Sequence, residues 1–453
     1  MEFIVINEKD NVRVSLDNAH KYALRNIKKG EKIIKYGFPI GAATQDISEG
    51  EHVHTHNLKT LLSGVCTYAY EPETVKVCKT ESPEILAYVR KDGRIGIRND
   101  IWIIPTVGCI NKAAEKIGAL TGAFCFTHPY GCSQLSGDHL RTQQILSGLI
   151  RHPNAGGVLV LGLGCENNNI EQLKSVLGEY DSDRVKFLNA QSCGDEIAEG
   201  VKIAEQLKAN ADRDIRVTVP ASKLVIGLKC GGSDGLSGIT ANAVTGKVTD
   251  KICAMGGTAV LTEVPEMFGA EQLLLNRCAD REVFDKAVGL INGYKEYFIS
   301  HNQPISENPS PGNKEGGITT LEEKSLGCVQ KGGHAAVTDV LDYGDTAKKA
   351  GLNLLAGPGN DMVAVTNLTA AGCNIILFTT GRGTPLGAPV PTVKIASNSV
   401  TAEKKKNWTD FDAQTGNEDE LFDLLLETAN GRQTQNEKNG FREIAVFKDG
   451  VTL

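Results

Sequence analysis

The chain has 453 residues, 41 % apolar and 23 % charged, so it is long enough for about three domains and too apolar to be disordered. Its formal net charge of −7 excludes a protein built to coat nucleic acid or an anionic membrane surface. Glycine is in excess, at 49 residues, and without repeats that predicts many tight turns and close backbone approaches to a ligand.

The opening MEFIVINEKDNVRV lacks a basic stretch followed by an apolar one, and no apolar run nears the roughly 18 residues of a spanning helix. A cytoplasmic location is expected, with the twelve cysteines reduced. None lies in a C-x-x-C pair, which disfavours zinc ribbons, thioredoxin-type motifs and ferredoxin runs. Residues 1–72 alternate short β-type runs (3–6, 12–15, 32–36, 52–58) with turns and predict a small all-β domain. Residues 73–84, polar with Pro83, read as a linker. From residue 85 apolar β runs alternate with helical patterns, which predicts a large α/β body with mostly parallel sheets. Leu140, Ile145, Leu146 and Leu149 fall roughly on one face of a helix over 138–150. A polar break at 209–221 divides the body into domains over 85–215 and 216–453. The Asn-, Pro-, Ser- and Gly-rich stretch 301–319 is long for a loop in a compact domain, and such loops are often functional.

Three places can carry chemistry. In GEHVHTHN (50–57), a strand would put His52, His54 and His56 on one face. Neighbours there lie ~6.6 Å apart at Cα, which suits two imidazoles on one metal; all three would span ~13 Å, too far without a bend. His54 and His56 are therefore the candidates, as metal ligands or an acid–base pair. The alternative is a solvated polar face. Cysteines recur beside glycine at predicted strand ends: Cys132, Cys165, Cys193 and Cys230. Parallel sheets bind ligands beyond the carboxyl ends of their strands, so Cys132, Cys165 and Cys230 are candidate metal ligands, although cysteine is also a common small core residue. In KCGGSDGLSG (229–238), the backbone of Gly231, Gly232 and Ser233 can form an anion site. Lys229 could neutralise an anion or act as a base there, and Asp234 could bind a metal; the alternative is a plain glycine turn. Nucleotide motifs fail: Asn167 replaces the third glycine after Gly162-Leu-Gly164, and no G-x-S-x-G elbow exists.

The stretches KYGFPIGAATQDISEGEHVHTHNL (35–58), YVRKDGRIGIRND (88–100), GCSQ (131–134), GLGCE (162–166), KCGGSDGLSGITAN (229–242), EVPEMFGAE (263–271), NPSPGNKEGGITTLEEKSLG (308–327) and TTGRGTPLGAPVPTVKIASNS (379–399) resemble the altronate and galactarate dehydratase family, whose members carry an SAF-type N-terminal domain. One departure is a shorter hairpin between Val14 and His20. The resemblance implies dehydration of a sugar acid to a 2-keto-3-deoxy acid, expected here as D-altronate to 2-dehydro-3-deoxy-D-gluconate plus water. Galactarate dehydration and sulfite elimination from sulfolactate are alternatives on the same fold. A non-catalytic sugar-acid-binding protein is the reading from another class. The family implies Fe²⁺ or Mn²⁺, with an iron–sulfur cluster on converging cysteines as the alternative cofactor. It also makes Arg98, Arg141 and Arg382 candidate carboxylate clamps, since guanidinium matches carboxylate bidentately, with surface ion pairing as the alternative for each. The expected partners are the sugar acid and a further copy of the chain, with neither nucleic acid nor membrane.

Overall fold

Residues 2–59 form a β module because short runs of β-branched residues are cut every few positions by turns. In the computed structural model, which describes residues 2–75 and 79–453, Phe3–Ile4, Val12–Ser15, Lys21–Ala23 and His52–Val53 make one antiparallel sheet. Lys32–Lys35, Phe38–Ala43 and Leu58–Lys59 make a second. Val12 and Val14 alternate inward along their strand, each 1 % exposed. The last strand of the module ends at Lys59, earlier than the expected boundary at 72. Residues 60–75 are laid along the body instead: Thr60 Oγ1 donates to Glu322 (2.9 Å) and Lys295 Nζ donates to Tyr68 Oη (2.8 Å). The centre of the expected linker, residues 76–78, lies outside the described residues.

The body holds two parallel sheets. Phe124–Cys125, Asp100–Pro105, Ala155–Gly162 and Val185–Asn189 form the first, in that spatial order. Ala155–Gly162 is buried along its whole length, as a central parallel strand covered on both faces should be. The second sheet has seven strands, ordered Val337–Leu341, Gly351–Leu355, Thr258–Leu261, Val225–Cys230, Ile375–Thr380, Thr392–Ala396 and Phe411–Asp412. All its pairings are parallel. Val225–Cys230 comes first in sequence yet lies centrally. The chain builds outward on one side of it through Thr258–Leu261, then crosses to Ile375–Thr380 on the other. That crossing is a topological switch point, where open α/β sheets bind ligands.

One local expectation needs correction. The helix begins at Ser136 rather than 138, and Leu140 turns outward at 48 % exposure while Ile145, Leu146 and Leu149 are fully buried. Further on, Glu271–Leu275 and Arg281–Ser300 are separate helices, the second opened by an Asp280 cap. All described cysteines are free thiols, as expected. No helix among the described residues is long and apolar enough to cross a membrane.

Candidate active site

The carboxyl ends of the seven-stranded sheet carry a buried ionic floor. Lys229, on the central strand and fully buried, donates from Nζ to Asp361 Oδ1 (2.8 Å), to Glu263 and to its neighbour's carbonyl. Burial alone would pull this amine down, but Glu263 and Asp361 hold it above the usual lysine range. Lys331 reaches Glu263 (3.4 Å) and Lys324 reaches Glu266 (2.8 Å). The Cys230 and Cys328 thiols lie 3.3 Å apart, each 3.1 Å from Glu266 Oε2. Glu263 stands at φ +68°, left-handed backbone that a non-glycine residue adopts at a cost of ~1 kcal/mol or more. Its two lysine contacts and the Cys230 N–H (3.0 Å) offset that strain.

Above the floor runs the glycine-rich turn. Asp234 Oδ1 accepts from Leu236 N (3.2 Å), Ser237 Oγ (2.8 Å) and Ser397 Oγ (2.8 Å), and Oδ2 accepts from Asn398 Nδ2 (2.9 Å). The carboxylate is spent on bracing three loops. Gly381 abuts it: a Cβ there would fall 2.4 Å from Asp234 Cγ. Among the described residues the N–H groups of Gly232 and Ser233 donate to no protein acceptor, which leaves them for a ligand anion.

The wall is the segment 308–319, which contains the helix Pro311–Glu315 with a Ser310 capping box. Asn313 Nδ2 donates to Ser233 O (2.8 Å), and Arg382 Nη1 donates to Gly312 O (3.1 Å). Arg382 also pairs with the exposed Glu315 (2.9 Å). The β module closes the crevice. Gly235 packs so tightly on Ala19 that a Cβ would meet the Ala19 carbonyl at 1.9 Å. Next to that contact the rings of His20, His52 and His54 gather, with centroids 4.9 to 5.4 Å apart. His54 Nε2 donates to Lys314 O (2.9 Å) and His20 Nε2 to Glu315 O (3.2 Å). Those contacts place the protons of His20 and His54 on Nε2, so His20 Nδ1 accepts from His52 Nε2 (2.9 Å) and His54 Nδ1 accepts from Thr55 Oγ1 (3.2 Å). Burial keeps His20 and His54 below the usual imidazole range. Burial and the neighbouring histidines take His52 down to about 4.

The expected residues are thus redistributed. His54 and Arg382 face the crevice, with Gly231, Gly232 and Ser233 forming its turn. His56 is exposed at the rim, its ring 5.7 Å from that of His52. The strand ends at Val53 and a turn follows, so the row of three bends. Lys229 is ion-paired with Glu263 and Asp361, and both oxygens of Asp234 accept hydrogen bonds from the surrounding loops. Arg98 is tied down by Glu437 (2.7 Å) and the carbonyls of Thr428 and Arg432. Arg141 pairs with Asp138 (3.1 Å) over the ring of Phe447. Neither reaches the crevice. Cys132 and Cys165 are exposed beyond the first sheet, bonded to Asn167 and Gln191, while Cys230 is buried in the second, so these three thiols form no common ligand set. His20, Asp361, Cys328 and Lys331 were missed. A lysine inside an apolar strand, as in VIGLKC, was the available signal that partners wait nearby.

A parallel sheet whose switch point is lined by imidazoles, a half-exposed arginine and an open glycine turn defines an α/β enzyme for small anionic substrates. Three family models match in order: the altronate/galactarate dehydratase SAF domain over residues 15–61, the D-galactarate dehydratase/altronate hydrolase second domain over 87–212, and the D-galactarate/altronate dehydratase C-terminal domain over 221–452. The chain belongs to this dehydratase family. It is 51 % identical over 472 residues to altronate dehydratase of Escherichia coli (strain K12), covering all of this chain and 95 % of the relative. It is 51 % identical to altronate dehydratase of Bacillus subtilis (strain 168), covering 99 % and 94 %. Galactarate dehydratase (L-threo-forming) of Escherichia coli (strain K12) is 31 % identical, covering 95 % and 90 %.

Proposed function

We propose that the chain is a cytoplasmic hydro-lyase that converts D-altronate to 2-dehydro-3-deoxy-D-gluconate and water in the crevice between the β module and the seven-stranded sheet. The carrying observation is the 51 % identity to two altronate dehydratases over essentially the full chain. Arg382 takes the substrate carboxylate in place of the exposed Glu315, and the free N–H groups of Gly232 and Ser233 hold its remaining oxygen. His56, whose ring has no hydrogen bond among the described residues, accepts the C2 proton. His56 returns that proton to the departing C3 hydroxyl, which leaves as water, and the resulting enol tautomerises to the ketone.

The donor chemistry at His20, His52 and His54 fits Fe²⁺ or Mn²⁺. The imidazoles are neutral, and two of them donate their outer N–H to backbone carbonyls, the arrangement metal-bound histidines adopt. Binding would replace the hydrogen bonds between His20 and His52 and between Thr55 and His54 Nδ1. The ion, when bound, stabilises charge that develops on the carboxylate as the C2 proton leaves.

The test is formation of 2-keto-3-deoxy acid from a panel of hexonates and hexarates, with and without Fe²⁺ or Mn²⁺ under reducing conditions. Turnover of altronate above the others is expected. No turnover on any of them with metal restored sinks the reading. Unchanged metal content in His52→Ala and His54→Ala removes the imidazoles as ligands.

A further inference from the structure

We propose that Cys230, Cys328 and Glu266 form a second, buried site for a soft divalent cation of the zinc type, apart from the histidine crevice. Among the described residues this trio alone brings three ligand atoms within 4.8 Å of one another. The triangle has sides of 3.3, 3.1 and 3.1 Å. Two thiolates on a tetrahedral ion with Zn–S of about 2.3 Å stand ~3.7 Å apart, so the trio becomes one face of that tetrahedron when it opens by a few tenths of an ångström. All three side chains are buried. Beside them runs a void too narrow for a water molecule, lined by Glu263, Glu266, Cys328 and Lys331 among others.

The surroundings orient the ligands. Lys324 holds the other oxygen of Glu266 at 2.8 Å, and Glu263 accepts the Cys230 N–H at 3.0 Å. Charge balance also permits the ion. With both thiols protonated, Lys229, Lys324 and Lys331 face Glu263, Glu266 and Asp361, three charges of each sign. Exchanging the two thiol protons for one divalent cation leaves that sum unchanged, so the buried network gains no net charge.

Cobalt(II) reports on the site. Full-length protein, stripped by chelator and kept reduced under nitrogen, is titrated with Co²⁺ while spectrum and proton release are followed. A thiolate-to-cobalt charge-transfer band is expected, together with release of two protons per ion and displacement of cobalt by Zn²⁺. The band should be lost in Cys230→Ser and Cys328→Ser, and binding should weaken at least about tenfold in Glu266→Gln. It should persist in Cys132→Ser, Cys165→Ser and His54→Ala. The wild-type spectrum and proton count stand even if a buried variant fails to fold. Cobalt bound without sulfur charge transfer, a band that survives Cys328→Ser, binding without proton release, or a Cys230–Cys328 disulfide in the freshly reduced protein overturns the proposal.

Discussion

Lys229 and His52 are perturbed in opposite senses by the same burial, because one has carboxylates in reach and the other has only imidazoles and a lysine. Lys229→Met would leave Glu263 buried without its nearest cation, and breaking such a pair costs about 3–5 kcal/mol; thermal unfolding should show a clearly lowered midpoint, whereas a change within error would mean Lys331 alone satisfies Glu263. For His52 the sign runs the other way. Its folded value near 4 lies below the ordinary 6.5, so between those values the unfolded chain binds the proton and the folded one does not. Stability should therefore fall as pH drops from about 6.5 towards 4, measured as the thermal unfolding midpoint at stepped pH, and a midpoint that stays flat over that range would refute it. Residue identity revealed part of this. Three histidines in five residues marked the neighbourhood, but His20 lies 32 positions before His52 and only strand pairing of Tyr22 with His52 brings it in.

At the scale of elements, the helix Leu321–Cys328 fastens the β module to the body. Glu323 accepts from Lys21 and Lys35 of two different strands, both at 2.8 Å, and all three side chains are buried. Burial would raise this carboxyl, but the two lysines hold it down to about 2. Its contribution is complete above the ordinary value of 4.5 and is lost as pH falls from there towards 2. Glu323→Gln should cost about 3–5 kcal/mol of docking, since two buried ammonium groups lose their carboxylate, and should show as faster proteolysis of residues 60–75; wild-type cleavage rates would refute the triad's role. Most helices and strands of the body were legible from periodicity and glycine, to within a few residues. The docking was not: KYA and KIIK look like exposed strand lysines until a glutamate some three hundred residues later is folded against them. Leu140 failed for a different reason, since a helix start two residues earlier shows nothing in an apolar pattern alone.

Across the whole molecule, the crevice draws histidines from the first sixty residues and its arginine, glycine turn and ionic floor from the last two hundred and thirty. The family resemblance covered both parts, but sequence alone could not place His54 against Lys314, because that contact depends on how the module docks. Cutting the chain at a protease site inserted beside Gly64 tests this division. The fragments should co-elute and retain activity at micromolar concentration, through the Lys21–Glu323–Lys35 link. Both association and activity should disappear on dilution. Activity that is independent of concentration after cleavage would show that the body suffices.

The strap over residues 60–75 then acquires a kinetic meaning. A short tether holds its two ends at an effective concentration of order millimolar, so the interface it serves needs only a modest affinity to stay closed. A site completed by such a closure can open without unfolding either partner, admit a bulky polyol chain, and shut again.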